Sequence, residues 1–460
     1  MQRAALAALT LAAAAGIPGL ATHVAMAQGT TPAAPAAATG GFPGAAAPTT
    51  SGGTLTTTLS QSLVADTNYD LDDPSPGTSV YGDTRVVLDY LKATSTQSLA
   101  LGLDTGLRSL AEADENFEFV LASPSTANVD YTHEGADTAF DAGVRFRSRR
   151  VDYTSPLDDD PGIDGPGIDD LGSVDDDSLE YRTDADIGFA LGTNSPSMYE
   201  FRLAATNFDY SEDTGRDNLT PRRSVVGEAT WTLRITPVFS TVVFGSYYYY
   251  TADNTADDEV RVAEGEVGLA YQPSENLRIR GGIGIADRER EQTIGGVRDT
   301  TEHDTGPTVR GDIRYVLPSL TILGDARFTT AAPQDRFSGT LRGVYNLPRG
   351  QVTGRIFQRY GGSQSGGDSR VTGVGIGLTH ELTRVSGVSF DASYATQVDE
   401  DDPDDPSIDR TDLTASYIHN LTETVSAEIG YGYRHRVEDP DDATSNRFFV
   451  VIGKTFETGL

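Results

Sequence analysis

The chain has no cysteine and almost no lysine. Without cysteine, a disulfide framework, a thiol nucleophile and a thiolate metal site are all excluded. Lysine occurs only at Lys92 and Lys454, so arginine supplies nearly all of the positive charge. The 460 residues include 68 acidic and 35 basic side chains, which gives a formal net charge of -33. A chain this acidic repels phosphate groups, which excludes nucleic acid as a partner.

Long apolar runs are also missing, because no segment beyond the amino terminus offers the roughly 18 consecutive apolar residues that a membrane-spanning helix needs. Residues 1–27 combine Arg3, an apolar stretch and the small residues Ala25 and Ala27. This pattern is typical of a cleaved secretory signal peptide. Residues 28–53 are rich in Ala, Pro, Gly and Thr without any periodicity, which predicts a flexible linker.

A strict alternation of polar and apolar residues is present instead. In residues 178–192, apolar side chains such as Leu179 and Ile187 alternate with charged ones such as Glu180 and Asp184. A period of two predicts a strand, because a helix has a period of 3.6. Strands of globular proteins are mostly about 5 to 6 residues long. A longer alternating strand is what a transmembrane β-barrel requires.

The same alternation recurs along the chain, and the connections between the segments alternate in length. Short turns, such as residues 236–237 and 347–350, alternate with long acidic or glycine-rich loops, such as residues 155–176 and 398–409. Periplasmic turns and longer extracellular loops follow one another in this way in outer-membrane barrels. Residues 54–460 are therefore predicted to form an all-β, up-and-down antiparallel transmembrane barrel of about 18–20 strands.

A soluble all-β protein, such as a propeller or a solenoid, is the alternative, because it also has many short strands with regular turns. Such a protein repeats a motif of fixed period, and we find no such motif here. Charge confined to one face of a dozen or more long strands favours a barrel whose outside lies in lipid. The alternation is weakest between residues 110 and 137.

The polar faces of the predicted strands define a lumen lining in which arginine and acidic side chains occur in comparable numbers. One interpretation is that the opposite charges pair across neighbouring strands and keep the lumen solvated. The other is that the arginines form a ladder that favours anionic solutes. The predicted lumen-lining charged residues are Arg145, Arg147, Arg149, Glu180, Arg182, Asp184, Asp186, Arg278, Arg280, Arg288, Arg310, Asp312, Arg314, Arg434 and Arg436.

Catalytic and metal-binding motifs are missing from the sequence. Neither a G-x-S-x-G elbow nor an H-E-x-x-H motif occurs, so we predict no enzyme, no catalytic residue, no metal site and no cofactor. The segment from Asp66 begins like a calcium loop, but it lacks the glycine at the sixth position and the glutamate at the twelfth. We interpret it as a solvated acidic rim, with loose bridging by divalent cations as the alternative.

The carboxyl-terminal strand carries a family resemblance. Phe448, Val450, Ile452 and Phe456 share one face, which resembles the terminal aromatic strand by which the barrel-assembly machinery recognises outer-membrane barrels, although four residues follow the last aromatic one. As a whole, residues 54–456 resemble the β-barrel porin type 2 group of Gram-negative bacteria. The likeness lies in the style of strands and loops rather than in a short motif.

This resemblance implies an outer-membrane protein whose water-filled lumen passes small solutes passively, as a porin does. The alternative that it implies is an accessory or structural barrel associated with export of exopolysaccharide or other envelope glycan, without free diffusion. The expected partners are outer-membrane lipid, lipopolysaccharide and the barrel-assembly machinery. The resemblance transfers no catalytic residue.

Overall fold

The structure is a computed structural model that describes the strands and the short turns of the chain. The predicted signal peptide (1–27), the predicted linker (28–53, apart from Gly53) and most of the predicted acidic loops at 155–176 and 398–409 lie outside the described residues. The described residues are 53–69, 71, 73–111, 118–121, 124–150, 179–211, 220–253, 258–294, 297–331, 336–362, 368–399, 407–438 and 440–459.

Every helix or strand element of the described chain is a β-strand, as the alternation predicts. In the part of the chain that the structure describes, no helix is long and apolar enough to cross a membrane. The strands are β1 (Thr54–Asp66), β2 (Ser79–Ala93), β3 (Gln97–Ala111), β4 (Glu118–Leu121), β5 (Ser125–Glu134), β6 (Thr138–Arg150), β7 (Leu179–Leu191), β8 (Ser197–Tyr210), β9 (Arg222–Arg234), β10 (Phe239–Ala252), β11 (Asp258–Ser274), β12 (Leu277–Ile294), β13 (Val297–Val316), β14 (Leu320–Thr329), β15 (Arg336–Leu347), β16 (Gly350–Gly362), β17 (Asp368–Thr383), β18 (Ser386–Asp399), β19 (Ile408–Asn420), β20 (Val425–Glu438) and β21 (Asp441–Gly459).

The strands form one closed antiparallel sheet. From β5 onward each strand pairs with the next, and β1 pairs with β21, with Thr54 opposite Gly459, so the sheet closes on itself. β4 and β5 both pair with β3, so together they fill one position in the wall. The barrel therefore has twenty positions, which confirms the predicted fold and its strand number. This split position is the reason why the alternation is weak between residues 110 and 137.

The tight turns lie together at one rim, which we call the turn rim. They include residues 192–196, 235–238 and 317–319. Gly192 opens the first of these with a φ of 74°, a left-handed conformation that glycine adopts without strain. The longer connections lie at the opposite rim, the loop rim. The alternation of short and long connections is therefore the one that the sequence predicts.

Large apolar side chains cover the outer face of the wall. Ile187 and Ile283 expose 51% and 65% of their surface, and the last strand adds Phe448, Ile452 and Phe456 to the same face, as predicted. In an aqueous setting, so large an exposed apolar surface would promote aggregation. Around a closed barrel with every strand paired, it is a belt that lipid solvates.

Aromatic side chains edge this belt near the turn rim. Tyr199 stacks on Trp231 with ring centroids 6.5 Å apart, and the rings of Phe239 and Tyr271 are 4.8 Å apart. Aromatic girdles of this kind lie at the membrane interfaces of outer-membrane barrels. The apolar belt and its aromatic edge, around a closed antiparallel barrel, make this molecule an outer-membrane β-barrel and place it in the outer membrane.

Candidate functional site

The inner face of the wall carries the charge. Inner and outer positions alternate along a strand, so Glu180 is buried inside while Ile187 of the same strand faces outward. The concave side is identified by contacts between strands that are not neighbours, since Arg327 on β14 lies 3.0 Å from Glu264 on β11. By the same alternation, all fifteen predicted lumen residues lie on the inner face.

On β6 and β7 the inner charges pair across the two strands. Arg149 donates two hydrogen bonds to Glu180, at 2.8 and 3.2 Å, and Arg147 lies 4.0 Å from the same carboxylate. Arg182 pairs with Asp184 at 2.9 Å. Most of these side chains are nearly buried, so removing one partner would leave a charge without compensation in the wall. This region agrees with the paired interpretation.

Positive and negative side chains remain interleaved further toward the turn rim. Arg145 lies opposite Asp184 and interacts electrostatically with Asp186. Arg202 on β8 interacts in the same way with Asp186 and with Asp141 on β6. Carboxylates thus interrupt the arginine ladder that the sequence suggested on β6.

A second cluster joins β11, β13 and β14. Glu264 and Glu266 are both buried, and Thr308 donates a hydrogen bond to Glu264 at 2.9 Å. Arg327 lies 3.0 Å from Glu264, and Arg310 lies 3.6 Å from each of the two carboxylates. Of this cluster, only Arg310 is among the residues predicted from the sequence. The two glutamates occupy alternate positions of an alternating strand, which is the signal that could have identified them.

Two pairs of arginines lie at one level of the inner face across β12 to β16. Arg278 lies directly opposite Arg314, and Arg342 lies directly opposite Arg355. Leu323 on β14 lies between the two pairs, opposite both Arg314 and Arg342. We call the four arginines the arginine row. Two of them, Arg342 and Arg355, are not among the predicted residues, although each alternates with apolar neighbours.

Two carboxylates, Asp312 and Glu200, lie near the arginine row. Arg280 pairs with Asp312 at 2.6 Å, one inner position further from the turn rim. Glu200 lies on β8, four strands before β12, and interacts electrostatically with Arg278 and Arg280. Like charges directly opposite each other destabilise a sheet.

Aromatic rings lie beneath several inner guanidinium groups. Arg310 is 4.3 Å from the ring centre of Phe244, and Arg355 is 4.7 Å from that of Phe357. A cation–π contact contributes about 0.5–2 kcal/mol, depending on its exposure. A cation–π contact occupies none of the five N–H donors of a guanidinium group, so these donors stay available to other partners.

Near the loop rim the predicted arginines again have carboxylate partners. Arg288 pairs with Glu302 at 2.7 Å, and Arg436 pairs with Glu438. Within the described ranges, no three His, Asp or Glu side chains lie close enough together to hold a metal ion.

The segment that follows β1 folds into the barrel. Asp66, Asn68 and Leu71 are buried, at 0–1% exposure, so the predicted solvated acidic rim is wrong for this stretch. The physical reason is that its side chains find partners on the inner wall rather than in water. We call residues 67–69 and 71 the inner strap. Tyr69 of the strap packs against a cluster of inner-face residues, which are Val64, Tyr81 and Leu110.

Two arginines hold the inner strap. Arg434 donates hydrogen bonds to the carboxylate of Asp66 at 2.9 Å and to the carbonyl oxygens of Asn68 and Tyr69 at 3.2 and 2.8 Å. Arg108 on β3 donates to the hydroxyl of Tyr69 at 2.6 Å. Arg434 lies on the inner face, as predicted, but it is covered by the strap and does not line an open lumen.

The chain matches no protein-family model and no curated protein. Solved structures similar to it include the copper transporter OprC, at 12% identity and a TM-score of 0.45 over 87% of this chain and 80% of that one. The ferric citrate transporter FecA is 10% identical, with a TM-score of 0.46 over 87% of this chain and 78% of that one. The ferric-catecholate import receptor Fiu from E. coli K12 is 10% identical, with a TM-score of 0.44 over 88% of this chain and 82% of that one. No residue, cargo or mechanism is carried over from these proteins to this chain.

Proposed function

We propose that the barrel is a porin-like, water-filled channel through which small solutes cross the outer membrane passively. The accessible charge on the inner wall carries this proposal. The side chains of Arg280, Asp312 and Arg327 keep 22%, 28% and 32% of their surface accessible. Charged groups that remain accessible inside a closed barrel require water in the lumen.

The size of the barrel supports the same function. Barrels of about 16–18 strands already leave an aqueous channel, and the diameter grows with the number of strands. This wall has twenty positions. Among the described residues, the inner strap is the segment that leaves the wall for the lumen, and it lies against one side only, from β20 to β3. A channel is also what the resemblance to the β-barrel porin type 2 group implies.

Single-channel recording tests the proposal. We expect purified, refolded protein to give stepwise current increases in planar bilayers, with a conductance that rises in proportion to the conductivity of the KCl solution. Liposomes that contain the protein should swell in small neutral sugars, because passive diffusion needs no energy source. Folding is verified beforehand by heat-modifiable electrophoretic migration. A folded barrel without current steps would contradict the proposal and favour the accessory role in glycan export.

The channel has an expected orientation, with the turn rim in the periplasm and the loop rim outside the cell. An epitope inserted after Asp402 should bind antibody on intact cells, because that loop belongs to the loop rim. The same epitope inserted after Pro348, in a tight turn between β15 and β16, should bind only after the outer membrane is permeabilised. Antibody binding in the reverse pattern would invert the orientation.

A further inference from the structure

Arginine is the most frequent charged residue on the inner wall of β12 to β16. We call a set of inner residues that lie directly opposite one another on neighbouring strands a level. The arginine row is the charged level of these strands nearest the turn rim. The next inner level holds Arg280, Asp312 and Asp325, and the third holds Arg310 and Arg327. Arg280 pairs with Asp312, and Arg310 and Arg327 lie beside Glu264 and Glu266 of β11, so the surplus of arginine is concentrated in the arginine row. On β6 and β7, by contrast, carboxylates alternate with the arginines.

The arginine row is accessible from the lumen. Arg314 is exposed, and Arg278, Arg342 and Arg355 are half-buried. The inner strap lies against β1 to β3, β20 and β21, about half-way around the wall from β12 and β13, so it does not cover the row. A solute that enters the lumen can therefore reach these guanidinium groups.

The spacing of the row fits oxyanions with more than one charge. Neighbouring strands are about 4.8 Å apart, so the two guanidinium groups of each pair can share one anionic group. Across β14 the two pairs are about 10 Å apart, so a second anionic group of the same solute can reach the other pair. Guanidinium groups bind carboxylate and phosphate oxygens through two parallel hydrogen bonds, which an ammonium group cannot do.

We propose that the arginine row is a binding site for polyvalent oxyanions, carboxylates or phosphates, and that it makes the channel prefer such solutes. This inference rests on the proposed channel function, because it assigns a solute class to the same lumen. The row brings four like charges together in the wall, and a bound polyanion would neutralise them.

Current block tests the inference. Citrate or pyrophosphate, added to one side of a bilayer that contains the protein, should reduce the KCl current in a saturable way, whereas acetate at equal ionic strength should not. Replacing Arg314 and Arg342 with serine should raise the half-blocking concentration about tenfold or more, because charge-assisted hydrogen bonds are lost. The same variant should shift the reversal potential under a KCl gradient toward cation preference.

A matched control removes the same charge elsewhere. The double variant Arg85→Ser, Arg145→Ser acts on β2 and β6, at least six positions around the wall from every arginine of the row, and should change the half-blocking concentration by less than about twofold. If the channel conducts but polyanions do not block it, or if both double variants change the half-blocking concentration equally, the proposed binding site is overturned. The proposed channel function would remain. Block by citrate alone would assign carboxylates, and block by pyrophosphate alone would assign phosphates.

Calorimetric titration of citrate and pyrophosphate into the folded, detergent-solubilised protein separates the site from the channel. If either probe binds to the wild type and not to the Arg314→Ser, Arg342→Ser variant, the site is supported. This holds even if bilayers show no conductance, and in that case only the proposed channel function fails. No heat of binding from either probe, with the fold verified, overturns the site.

Discussion

Replacing Val86 with arginine should destabilise the barrel folded in a bilayer by about 2–4 kcal/mol, because the new charge would face lipid near the middle of β2. Val86 lies on the outer face, where its cross-strand neighbour Leu59 is 45% exposed. A loss of this size lowers the ratio of folded to unfolded protein about 30-fold or more. Urea titration in lipid vesicles measures it, with the single tryptophan, Trp231, as the fluorescent reporter.

The next residue of the strand provides the matched control. Val87 has the same side chain but lies on the inner face, directly opposite Asp104 and two residues from Asp89. An arginine there would meet water and two carboxylates, so Val87→Arg should change the free energy of unfolding by less than about 1 kcal/mol. Equal losses in the two variants would mean that protein packs on both faces, as in a soluble sheet, and would contradict the membrane-spanning barrel.

The two faces of the wall were predictable because lipid and water each impose one polarity on alternate residues. Ile187 and Glu180 lie on opposite faces of the wall for this reason, whatever strand lies beside them. The order of turns and loops was predictable from the alternation of short and long connections along the chain. An even number of strand positions is what an outer-membrane barrel of this kind requires. The split between β4 and β5 was not predictable, because it depends on how both segments pair with β3.

The contacts within the lumen depend on register, which the alternation of a single strand does not determine. Arg342 and Arg355 lie in ordinary alternating segments, and only the pairing of β15 with β16 places them opposite each other. The inner strap is a stronger case. Asp66 belongs to a segment with the composition of a hydrated loop, and its burial depends on Arg434, 368 residues further along the chain.

Replacing Arg434 with methionine should destabilise the barrel by about 3–5 kcal/mol and release the inner strap. Arg434 is an ion-pair partner of Asp66, whose side chain is fully buried, so the variant leaves this carboxylate without that partner. The double variant Asp66→Asn, Arg434→Met removes both charges and should recover most of the lost stability. The strap would still lack the hydrogen bonds to its carbonyl oxygens, so it should stay released in both variants.

Thiol labelling measures this release, since the chain contains no cysteine of its own. Asn68→Cys should label slowly in the otherwise unchanged barrel, because Asn68 is 1% exposed, and about tenfold faster or more with Arg434→Met. Arg436→Met is the control, since Arg436 lies on the same inner face and its partner Glu438 is 31% exposed and open to hydration. Equally slow labelling with Arg434→Met would show that the strap is held by other contacts. A released strap widens the loop-rim mouth, so the conductance should rise together with the labelling rate.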